Sequence, residues 1–502
     1  MIAVPGFEGR RVAVFGLGRS GITAARALQA GGAIPILWDD GVSGRMQAQA
    51  EGFQVQDLTV ADWSGFAALV LSPGAPLTHP KPHWTVERAQ AAGVPVIGDI
   101  ELFARAIAVA PEGRRPRVVA VTGTNGKSTT TALIGWVLKS AGLTVHVGGN
   151  IGIGVLALPE PTPDAVYVIE VSSYQLDLTT TFAPDVAILT NISPDHLDRH
   201  GGMAGYVAAK TRIFAGQRPD GVALIGVDED WGRGIARDLP QRVITILTHP
   251  SPLAGEGGSR SETDEGLLRR QPSSAVEADP TPHPSPSGPP SPARGEGYVA
   301  QAGQIFRNGE RVADLSAARS LPGRHNAQNG AFAYAAALAL GVSHAAAVKG
   351  LLTFPGLAHR METVAQVGPV RFVNDSKATN ADAARQALSS YPSVFWIAGG
   401  VPKAGGIDDL TDLFARVTRA YLIGQAARGF AETLGDTPHV IAHTLDAAVA
   451  AAAADAAAAG GEQIVLLSPA CASFDQFPDF EARGEAFRAA VLNLAPAPES
   501  AA

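Results

Sequence analysis

An apolar run that leads directly into a glycine-rich turn, and then into a helical pattern, is the feature that most constrains the fold of this 502-residue chain. Residues 118–130 read VVAVTGTNGKSTT. Such a loop at the start of a helix points backbone N–H groups inward, where they bind phosphate. The spacing predicts that Lys127 reaches the outer phosphates of a nucleotide and that the Ser128 hydroxyl binds Mg²⁺. The general pattern GxxxxGK[ST] is met only in part, because its first glycine would fall on Val121.

Further short apolar runs alternate with turns and helical patterns along the chain. Continuous β-branched runs predict strands buried on both faces, and their alternation with helices predicts βαβ units in parallel sheets. The runs lie at residues 12–15, 118–121, 166–169, 186–189, 394–397 and 464–467. We therefore expect an α/β protein.

Composition shifts divide the chain into three expected domains, at residues 1–112, 113–356 and 357–502. The stretch 249–297 interrupts the second of them, is rich in Pro, Gly and Ser, and carries the near-repeat PSPLAGEG and PSPARGEG. It has too few apolar side chains to offset the entropy lost on ordering, so we expect a disordered insertion. A proline-rich docking segment is the functional alternative.

The overall composition excludes several classes of protein. The net charge is −8 and no basic stripe is present, which disfavours nucleic-acid binding. The single cysteine, Cys471, excludes an intrachain disulfide and fits a reducing compartment. Residues 447–460 are mostly alanine and are interrupted by Asp455, which favours a packed helix over a membrane span. Without a recognisable leader at its N-terminus, the chain is expected to be cytoplasmic, with no nucleic-acid or membrane partner.

A second glycine motif, GLGRSG at residues 16–21, follows the first apolar run. It fits GxGxxG, and Asp39 lies eighteen residues after Gly21, where an acid would hold a ribose. Taken alone, the motif fits a nicotinamide, a flavin, another nucleotide diphosphate or merely a tight turn. A second nucleotide site beside an ATP site favours a nucleotide-linked substrate over a redox cofactor.

Polar residues follow two of the predicted strands at their carboxyl ends. Glu170 comes directly after the run 166–169, at the edge where ligands bind in open α/β sheets. There it can hold the Mg²⁺ that bridges ATP phosphates, although a surface acid or helix cap is the alternative. His196 follows the run 186–189 and is a candidate ligand or substrate contact, or else a structural histidine.

Lysine usage supports the same regions. The chain has 32 arginines and only 7 lysines, so positions that require an amine should stand out among the seven. Four of them lie in or beside the turns and helices that carry these motifs: Lys127, Lys210, Lys377 and Lys403.

Taken together, these strings resemble the Mur ligase family, the ATP-dependent amino-acid ligases of peptidoglycan precursor synthesis. The matching motifs, in order, are GTNGKST (123–129), GGNIG (148–152), EVSSYQL (170–176), PDHLDRH (194–200), AAKTRIF (208–214), GRHNAQN (323–329), AHR (358–360), NDSKATN (374–380) and SPACASFDQF (468–477). The resemblance spans the chain outside the insertion. GLGRSG, NDSKATN and SPACASFDQF look like the branch of the family that adds D-glutamate.

This resemblance implies a Rossmann-like N-terminal domain, a central P-loop mononucleotide-binding ATPase domain and a C-terminal Rossmann-like domain. It implies a monomeric ligase that joins D-glutamate to UDP-N-acetylmuramoyl-L-alanine through an acyl phosphate, releasing ADP and phosphate. The implied cofactors are ATP, two Mg²⁺ ions and a CO₂-derived carbamate on Lys210.

The resemblance also implies roles for individual residues. Those for the UDP-linked substrate are Gly18, Arg19, Ser20, Asp39, Ser72, Pro73, Gly74 and Asn150. Those for ATP are Gly123, Thr124, Asn125, Gly126, Lys127, Ser128, Thr129, Asn326, Asn329, Arg360 and Asp375. Those for D-glutamate are Lys377, Thr379, Lys403, Ser473 and Phe480. The metal ligands would be Ser128, Glu170, His196 and Lys210, and the catalytic residues Lys127, His196 and Lys210. The loop around Lys403 is a looser match than the others.

Three alternatives stay open at this point. A folate-polyglutamate ligase would share the phosphate loop but should lack the N-terminal GxGxxG domain. An NAD-dependent oxidoreductase would use residues 16–21 and leave 123–129 unexplained. A nucleotide-dependent scaffold would act through the proline-rich insertion, and deleting 249–297 would separate it from an enzyme.

Overall fold

The computed structural model describes residues 1–110, 114–248, 296–318, 320–321, 323–402 and 405–494. Its strands form three sheets that follow one another along the chain. Each of the six apolar runs predicted to be a strand lies inside a strand. The predicted α/β class is confirmed, because helices alternate with strands and most strand pairs are parallel.

The first sheet is entirely parallel and has the order β3-β2-β1-β4-β5. Its strands are β1 (Arg11–Phe15), β2 (Ile34–Trp38), β3 (Gln54–Val55), β4 (Phe66–Leu71) and β5 (Val96–Ile97). Its helices are α1 (Arg19–Ala30), α2 (Val42–Ala50), α3 (Trp84–Ala91) and α4 (Asp99–Ala108). The 3-2-1-4-5 order is that of a doubly wound sheet, whose switch point lies between β1 and β4, beside the first glycine loop.

The second sheet has nine strands in the order β14-β13-β12-β11-β10-β9-β6-β8-β7. They are β6 (Arg117–Thr122), β7 (Thr144–Gly149), β8 (Ala165–Glu170), β9 (Val186–Leu189), β10 (Val222–Gly226), β11 (Arg242–Thr248), β12 (Glu296–Gln301), β13 (Gln304–Arg307) and β14 (Glu310–Asp314). The helices are α5 (Lys127–Ser140), α6 (Ser173–Asp177), α7 (Leu197–His200), α8 (Met203–Ala215), α9 (Asp230–Asp238), α10 (Arg324–Ala339) and α11 (His344–Leu352). Strand β6 lies between β8 and β9, so the residues after these three strands meet at one edge.

The sequence prediction placed residues 249–297 outside any core. Residues 249–295 lie outside the described residues. The last two positions contradict the prediction, because Glu296 and Gly297 pair with Ile244 and Thr245 in the parallel β11–β12 ladder. The composition of the stretch hid this boundary, since a glycine gives no apolar signal for a strand start.

The third sheet has the order β15-β16-β20-β17-β18-β19 and is parallel except at its β15 edge. Its strands are β15 (Glu362–Val367), β16 (Val370–Asn374), β17 (Val394–Gly399), β18 (Val417–Ile423), β19 (His439–His443) and β20 (Gln463–Leu467). The helices are α12 (Ala381–Ser389), α13 (Ala427–Leu434), α14 (Leu445–Ala459) and α15 (Phe480–Leu492). The alanine-rich stretch predicted to be a packed helix is α14, which the Thr444 side chain caps.

The first two sheets share one continuous apolar core, which runs from Ile2 to Ile225. Polar contacts reinforce this junction: Glu101 on α4 is fully buried and accepts hydrogen bonds from the backbone N–H groups of Thr180 and Thr181. The third sheet instead has separate apolar clusters of its own. The first two sheets therefore pack as a unit, whereas the third contacts the phosphate loop through polar side chains.

Within the described ranges, no helix has the length and apolar character needed to span a bilayer.

Candidate functional site

The phosphate loop connects β6 to α5, and two of its glycines are required by their surroundings. Gly126 has φ +79°, and a Cβ there would lie 2.6 Å from Oδ1 of Asn329. Gly123 has φ +147°, and its Cβ would lie 1.9 Å from Oγ1 of Thr190. Because only glycine fits these positions, the backbone can turn sharply into the first turn of α5.

Two residues after β9 hold the loop in place. The Asn125 N–H donates to Oδ1 of Asn191 at 2.8 Å, and Nδ2 of Asn191 donates back to the Asn125 carbonyl at 3.2 Å. Oγ1 of Thr190 donates to the same carbonyl at 2.7 Å. These bonds preorganise the loop and leave the N-terminus of α5 open to an anion.

Lys127 is the first residue of α5 and folds back over the loop. Its Nζ donates to the Thr124 carbonyl at 2.8 Å. Burial lowers the pKa of Lys127, and the nearby Glu170 carboxylate opposes that shift. The ammonium therefore stands beside the loop as a cation with little competing water, which suits contact with phosphate.

A cavity of about 230 Å³ opens beside this loop, between the second and third sheets. Ten of the eleven residues predicted to bind ATP line it, all except Gly123. These ten are Thr124, Asn125, Gly126, Lys127, Ser128, Thr129, Asn326, Asn329, Arg360 and Asp375. The cavity also has an apolar part, which includes Phe354 and Leu357. A pocket with both a phosphate loop and apolar walls can take a nucleotide.

Two side chains cross to the loop from the C-terminal part of the chain. Nη1 of Arg360 donates to Oγ1 of Thr129 at 3.4 Å, and Nζ of Lys377 donates to Oγ of Ser128 at 3.2 Å. The pKa of Lys377 is lowered to about 8, mainly by burial and also by the nearby charge of Arg360. Lys127, Arg360 and Lys377 are therefore three cations that face the place where a polyphosphate would lie.

The two asparagines of α10 reach the same place. Oδ1 of Asn329 accepts from Oγ1 of Thr130 at 3.1 Å, and Nδ2 of Asn329 donates to Oδ1 of Asn326 at 3.1 Å. This network ties α10 to α5, which places both asparagines in the cavity lining.

The carboxylate of Glu170 fits a metal site. Glu170 is 2% exposed at the end of β8, and its Oε1 accepts from Nδ2 of Asn150 at 2.9 Å. Its Oε2 is buried without a hydrogen-bond partner within the described ranges. An orphaned buried carboxylate oxygen beside a phosphate loop is a ligand that Mg²⁺ would satisfy. Asn150, predicted for the UDP-linked substrate, thus contacts the candidate metal ligand.

Among the described residues, no group of three His, Cys, Asp or Glu side chains is arranged to hold a metal.

Lys210 on α8 is 2% exposed, and its Nζ donates to the Gly123 carbonyl at 2.7 Å. Its ammonium also lies 4.6 Å from the ring centroid of Tyr206. Burial holds the pKa of Lys210 well below its usual range, and the charge on Lys127 lowers it further. The lowered pKa increases the fraction of Lys210 that is a neutral amine at the phosphate loop.

His196 has φ +51°. Its side chain is half-exposed. Its Nε2 is 3.4 Å from Oδ2 of Asp195, and its ring is 5.0 Å from that of Tyr174. Burial lowers the pKa of His196, and Asp195 opposes this shift. A neutral imidazole at this edge can accept a proton or bind a metal.

The first glycine loop packs closely against the end of β4. A Cβ on Gly16 would lie 2.4 Å from the Cβ of Ser72, and one on Gly21 would lie 1.9 Å from the Gly16 carbonyl. The Asp39 carboxylate accepts from the N–H groups of Leu17 and Gly41 at 2.6 and 2.7 Å. Asp39 therefore holds the glycine loop through these hydrogen bonds. It also occupies the position at which an acidic residue binds the ribose in dinucleotide-binding folds.

The other predicted substrate residues surround this switch point. Gly18 caps α1, and Ser20 lies with Ser72 and Pro73 around a small depression; Gly74 follows in the same bend. The backbone at position 19 begins α1, and its side chain lies outside the described residues.

The residues predicted for D-glutamate follow strands of the third sheet. Lys377 and Thr379 follow β16, and Ser473 follows β20 and is 2% exposed. Phe480 begins α15, and Nζ of Lys377 lies 5.5 Å from its ring centroid. Lys403 lies outside the described residues. The structure brings Lys377 to both groups of residues, the phosphate loop and the D-glutamate residues.

Sequence reasoning missed several residues of the cavity: Asn191, His325, Gln328 and Gln386. Asn191 carried a usable signal, because it is the second residue after β9, the neighbour of β6 in the parallel sheet. His325 lies inside the GRHNAQN string, where burial lowers its pKa and Arg360 lowers it further. Gln328 lies in the same string, whereas Gln386 shows no local pattern, since only the packing of α12 places it in the cavity.

Asp375 is 6% exposed, and its Oδ2 accepts from Oγ of Ser468 at 2.9 Å. Burial raises the pKa of this carboxyl to about 7, against the hydrogen bond from Ser468 and the charge of Arg360. Since the folded-state pKa exceeds the unfolded value, protonation stabilises the fold at low pH, and this contribution is lost as pH rises through about 7.

We expect Asp375→Asn to remove that dependence. The melting temperature of the variant minus that of the parent should increase as pH rises from the ordinary carboxyl pKa of 3.8, and level off above the Asp375 pKa of about 7. Thermal unfolding across this range measures it, with the exposed Asp220→Asn as control. A difference that is flat with pH would contradict the assignment.

Comparison with known proteins supports the geometry. Residues 121–251 match the Mur ligase middle domain, and residues 359–471 match the Mur ligase glutamate ligase domain. The Thermotoga maritima UDP-N-acetylmuramate-alanine ligase MurC shares the fold, with a TM-score of 0.55 at 16% identity over 96% of this chain and 99% of that one.

Curated relatives are far closer in sequence. A protein of Caulobacter vibrioides (strain NA1000 / CB15N) is 59% identical over 98% of both chains, and one of Phenylobacterium zucineum is 58% identical over 99% of this chain and 98% of its own. Both bear the name UDP-N-acetylmuramoylalanine--D-glutamate ligase. With this identity along the whole chain, with both domain matches and with a phosphate loop facing two C-terminal cations, the chain belongs to the Mur ligase family.

Proposed function

We propose that this protein is the ATP-dependent ligase that joins D-glutamate to UDP-N-acetylmuramoyl-L-alanine in peptidoglycan precursor synthesis. The observation that carries the proposal is the contact between Lys377 and Ser128, which links the loop after β16 to the phosphate loop. It places residues suited to a dicarboxylate beside residues suited to ATP. The name shared by the full-length relatives supports the choice of amino acid.

The first step is activation of a carboxylate, which by itself resists attack by an amine. The L-alanine carboxylate of the UDP-linked substrate attacks the γ-phosphorus of ATP, so that an acyl phosphate forms and ADP leaves. Lys127, Arg360 and Lys377 face the loop and would neutralise charge on the transferring phosphoryl group.

The second step forms the amide. The D-glutamate amine attacks the acyl carbon, a tetrahedral intermediate forms, and phosphate leaves as the carbonyl is restored. The proton that the amine loses leaves with the phosphate, and the neutral imidazole of His196 would act as a metal ligand. Lys377, Thr379, Lys403, Ser473 and Phe480 would receive the amino acid, whose two carboxylates call for cations and hydroxyls.

Metal binding would centre on Glu170, Ser128, His196 and a modified Lys210. When bound, Mg²⁺ would supply charge neutralisation to the phosphates. The neutral Lys210 amine is the form that reacts with CO₂: a C–N bond forms, one proton leaves, and the neutral amine becomes a carbamate anion. The burial of Lys210 beside Gly123 supports this modification and a second metal position.

The remaining expectations belong to the same proposal. We propose that the UDP-linked substrate binds at the first glycine loop. We divide the chain into domains 1–112, 113–356 and 357–502. The third domain would close over ATP and exclude water from the acyl phosphate. The separate apolar clusters of the third sheet support such closure. A monomer in the cytoplasm is proposed, in keeping with one buried cysteine.

The test is phosphate release with ATP, Mg²⁺ and UDP-N-acetylmuramoyl-L-alanine, comparing D-glutamate with L-glutamate, L-alanine and diaminopimelate. Release with D-glutamate alone is expected. Turnover with another amino acid would keep the mechanism and overturn the choice of substrate. Folded protein without turnover on any of them would overturn the proposed reaction.

A further inference from the structure

A buried guanidinium joins the loops that leave the third sheet at its carboxyl edge. Arg483, the fourth residue of α15, is 1% exposed. Its Nε donates to Oγ of Ser376 at 3.0 Å, and its Nη2 donates to the carbonyls of Ser376 at 2.8 Å and Cys471 at 3.1 Å. Ser376 follows β16, and Cys471 follows β20.

The third nitrogen of this side chain points to a third loop. Nη1 of Arg483 is buried and lacks a hydrogen-bond partner in the described part of the chain. A Cβ on Gly400, directly after β17, would lie 3.2 Å from Nη1. A larger residue at Gly400 would therefore meet the guanidinium, and its φ of +132° already favours glycine.

Among the described residues, Arg483 donates hydrogen bonds only to neutral groups: one hydroxyl and two carbonyls. Burial lowers the pKa of Arg483 to about 10, against the opposing effects of the Cys471 thiol and the Asp475 carboxylate. The Asp475 carboxylate accepts from the Gln425 N–H at 2.9 Å, so it is engaged elsewhere. A buried charge without a direct ion pair is costly, and an apolar side chain of similar volume would serve stability as well.

Each loop that contacts this guanidinium leads to a residue proposed to bind D-glutamate. Ser376, Gly400 and Cys471 precede such a residue by between one and three positions. Those residues are Lys377, Lys403 and Ser473, in that order.

We propose that Arg483 is a positioning residue for the amino-acid substrate. It fixes the three strand-end loops relative to one another, and its unneutralised charge attracts the carboxylates of D-glutamate to the edge that the loops form. Since its nitrogens are buried, it acts through the loops and does not touch the substrate. The inference rests on the proposed function, because it assumes a dicarboxylate substrate.

Steady-state kinetics of Arg483→Met and Arg483→Lys test this role. Methionine keeps an unbranched stem without charge, and lysine keeps the charge with fewer directed bonds. We expect the KM for D-glutamate to rise about 10- to 100-fold in Arg483→Met, because misplaced binding groups lose that much. The KM values for ATP and the UDP-linked substrate should change little, and Arg483→Lys should recover part of the loss.

Arg419→Met is the matched control. Arg419 lies on β18 and pairs with Asp455 at 2.8 Å. Within the described ranges it makes no hydrogen bond or ion pair with the three loops, so its loss should leave all three KM values unchanged. The parent must first turn over D-glutamate; its failure would overturn the proposed function and not the role of Arg483. With an active parent, an unchanged KM for D-glutamate, or an equal rise in all three, would overturn the inference. If Arg483→Met does not fold, Arg483→Lys decides by the same comparison.

Discussion

Lys127→Ala is expected to lower turnover at least about 10³-fold while the protein stays folded. The Lys127 ammonium lies at the phosphate loop and, among the described residues, donates a hydrogen bond only to the Thr124 carbonyl. In the proposed reaction the ammonium stabilises negative charge that grows as the phosphoryl group transfers. Removing it should therefore mainly lower kcat. Phosphate release at saturating substrates measures the effect.

A control within the same helix separates chemistry from folding. Lys139 is exposed in the last turn of α5, so Lys139→Ala should keep parental turnover. Thermal unfolding of both variants should resemble that of the parent, because Lys127 makes no ion pair with any residue in the described part of the chain. Near-parental activity of Lys127→Ala would overturn the role given to the phosphate loop.

Lys210→Arg is expected to lower kcat by a similar factor, about 10³-fold. Arginine keeps a positive charge, yet its guanidinium does not form the carbamate that the proposed metal site needs. The amine of Lys210 is suited to that modification because burial and Lys127 lower its pKa, which increases the neutral fraction at neutral pH. The exposed Lys349→Arg on α11 is the matched control and should be fully active.

A second measurement addresses the carbamate without any substitution. Parent protein prepared in CO₂-free buffer should lose activity and regain it with bicarbonate, whereas Lys210→Arg should not respond. Carbon-13 NMR with labelled bicarbonate should show a carbamate signal in the parent and none in Lys210→Arg. Parental turnover of Lys210→Arg, or a parent without such a signal, would contradict the modification.

Local patterns were sufficient for the strands and loops. The run 118–121 lies inside β6 because a strand buried on both faces must be apolar at every position, and this signal needs no distant partner. Gly126 likewise marks a positive φ, which few other residues adopt. The order of motifs was also enough to identify the family.

Other features depended on distant contacts. Glu296 and Gly297 lie in β12 because β11 offers them a parallel ladder, although their own composition resembles the preceding stretch. The pKa of Asp375 near 7 follows from packing that removes water, which no neighbouring residue in the sequence reveals.

The sequence by itself determined the α/β class, the position of the phosphate loop and the candidate metal ligand Glu170, because each depends on residues close together in the chain. Tertiary structure decided that Lys377 meets Ser128 across 249 positions and that Arg483 joins Ser376 to Cys471. An arginine in the first turns of a helix has the same local pattern whether it faces solvent or three loops. Burial distinguishes the two cases, and burial results from how sheets and helices pack, which separations of this length do not encode locally.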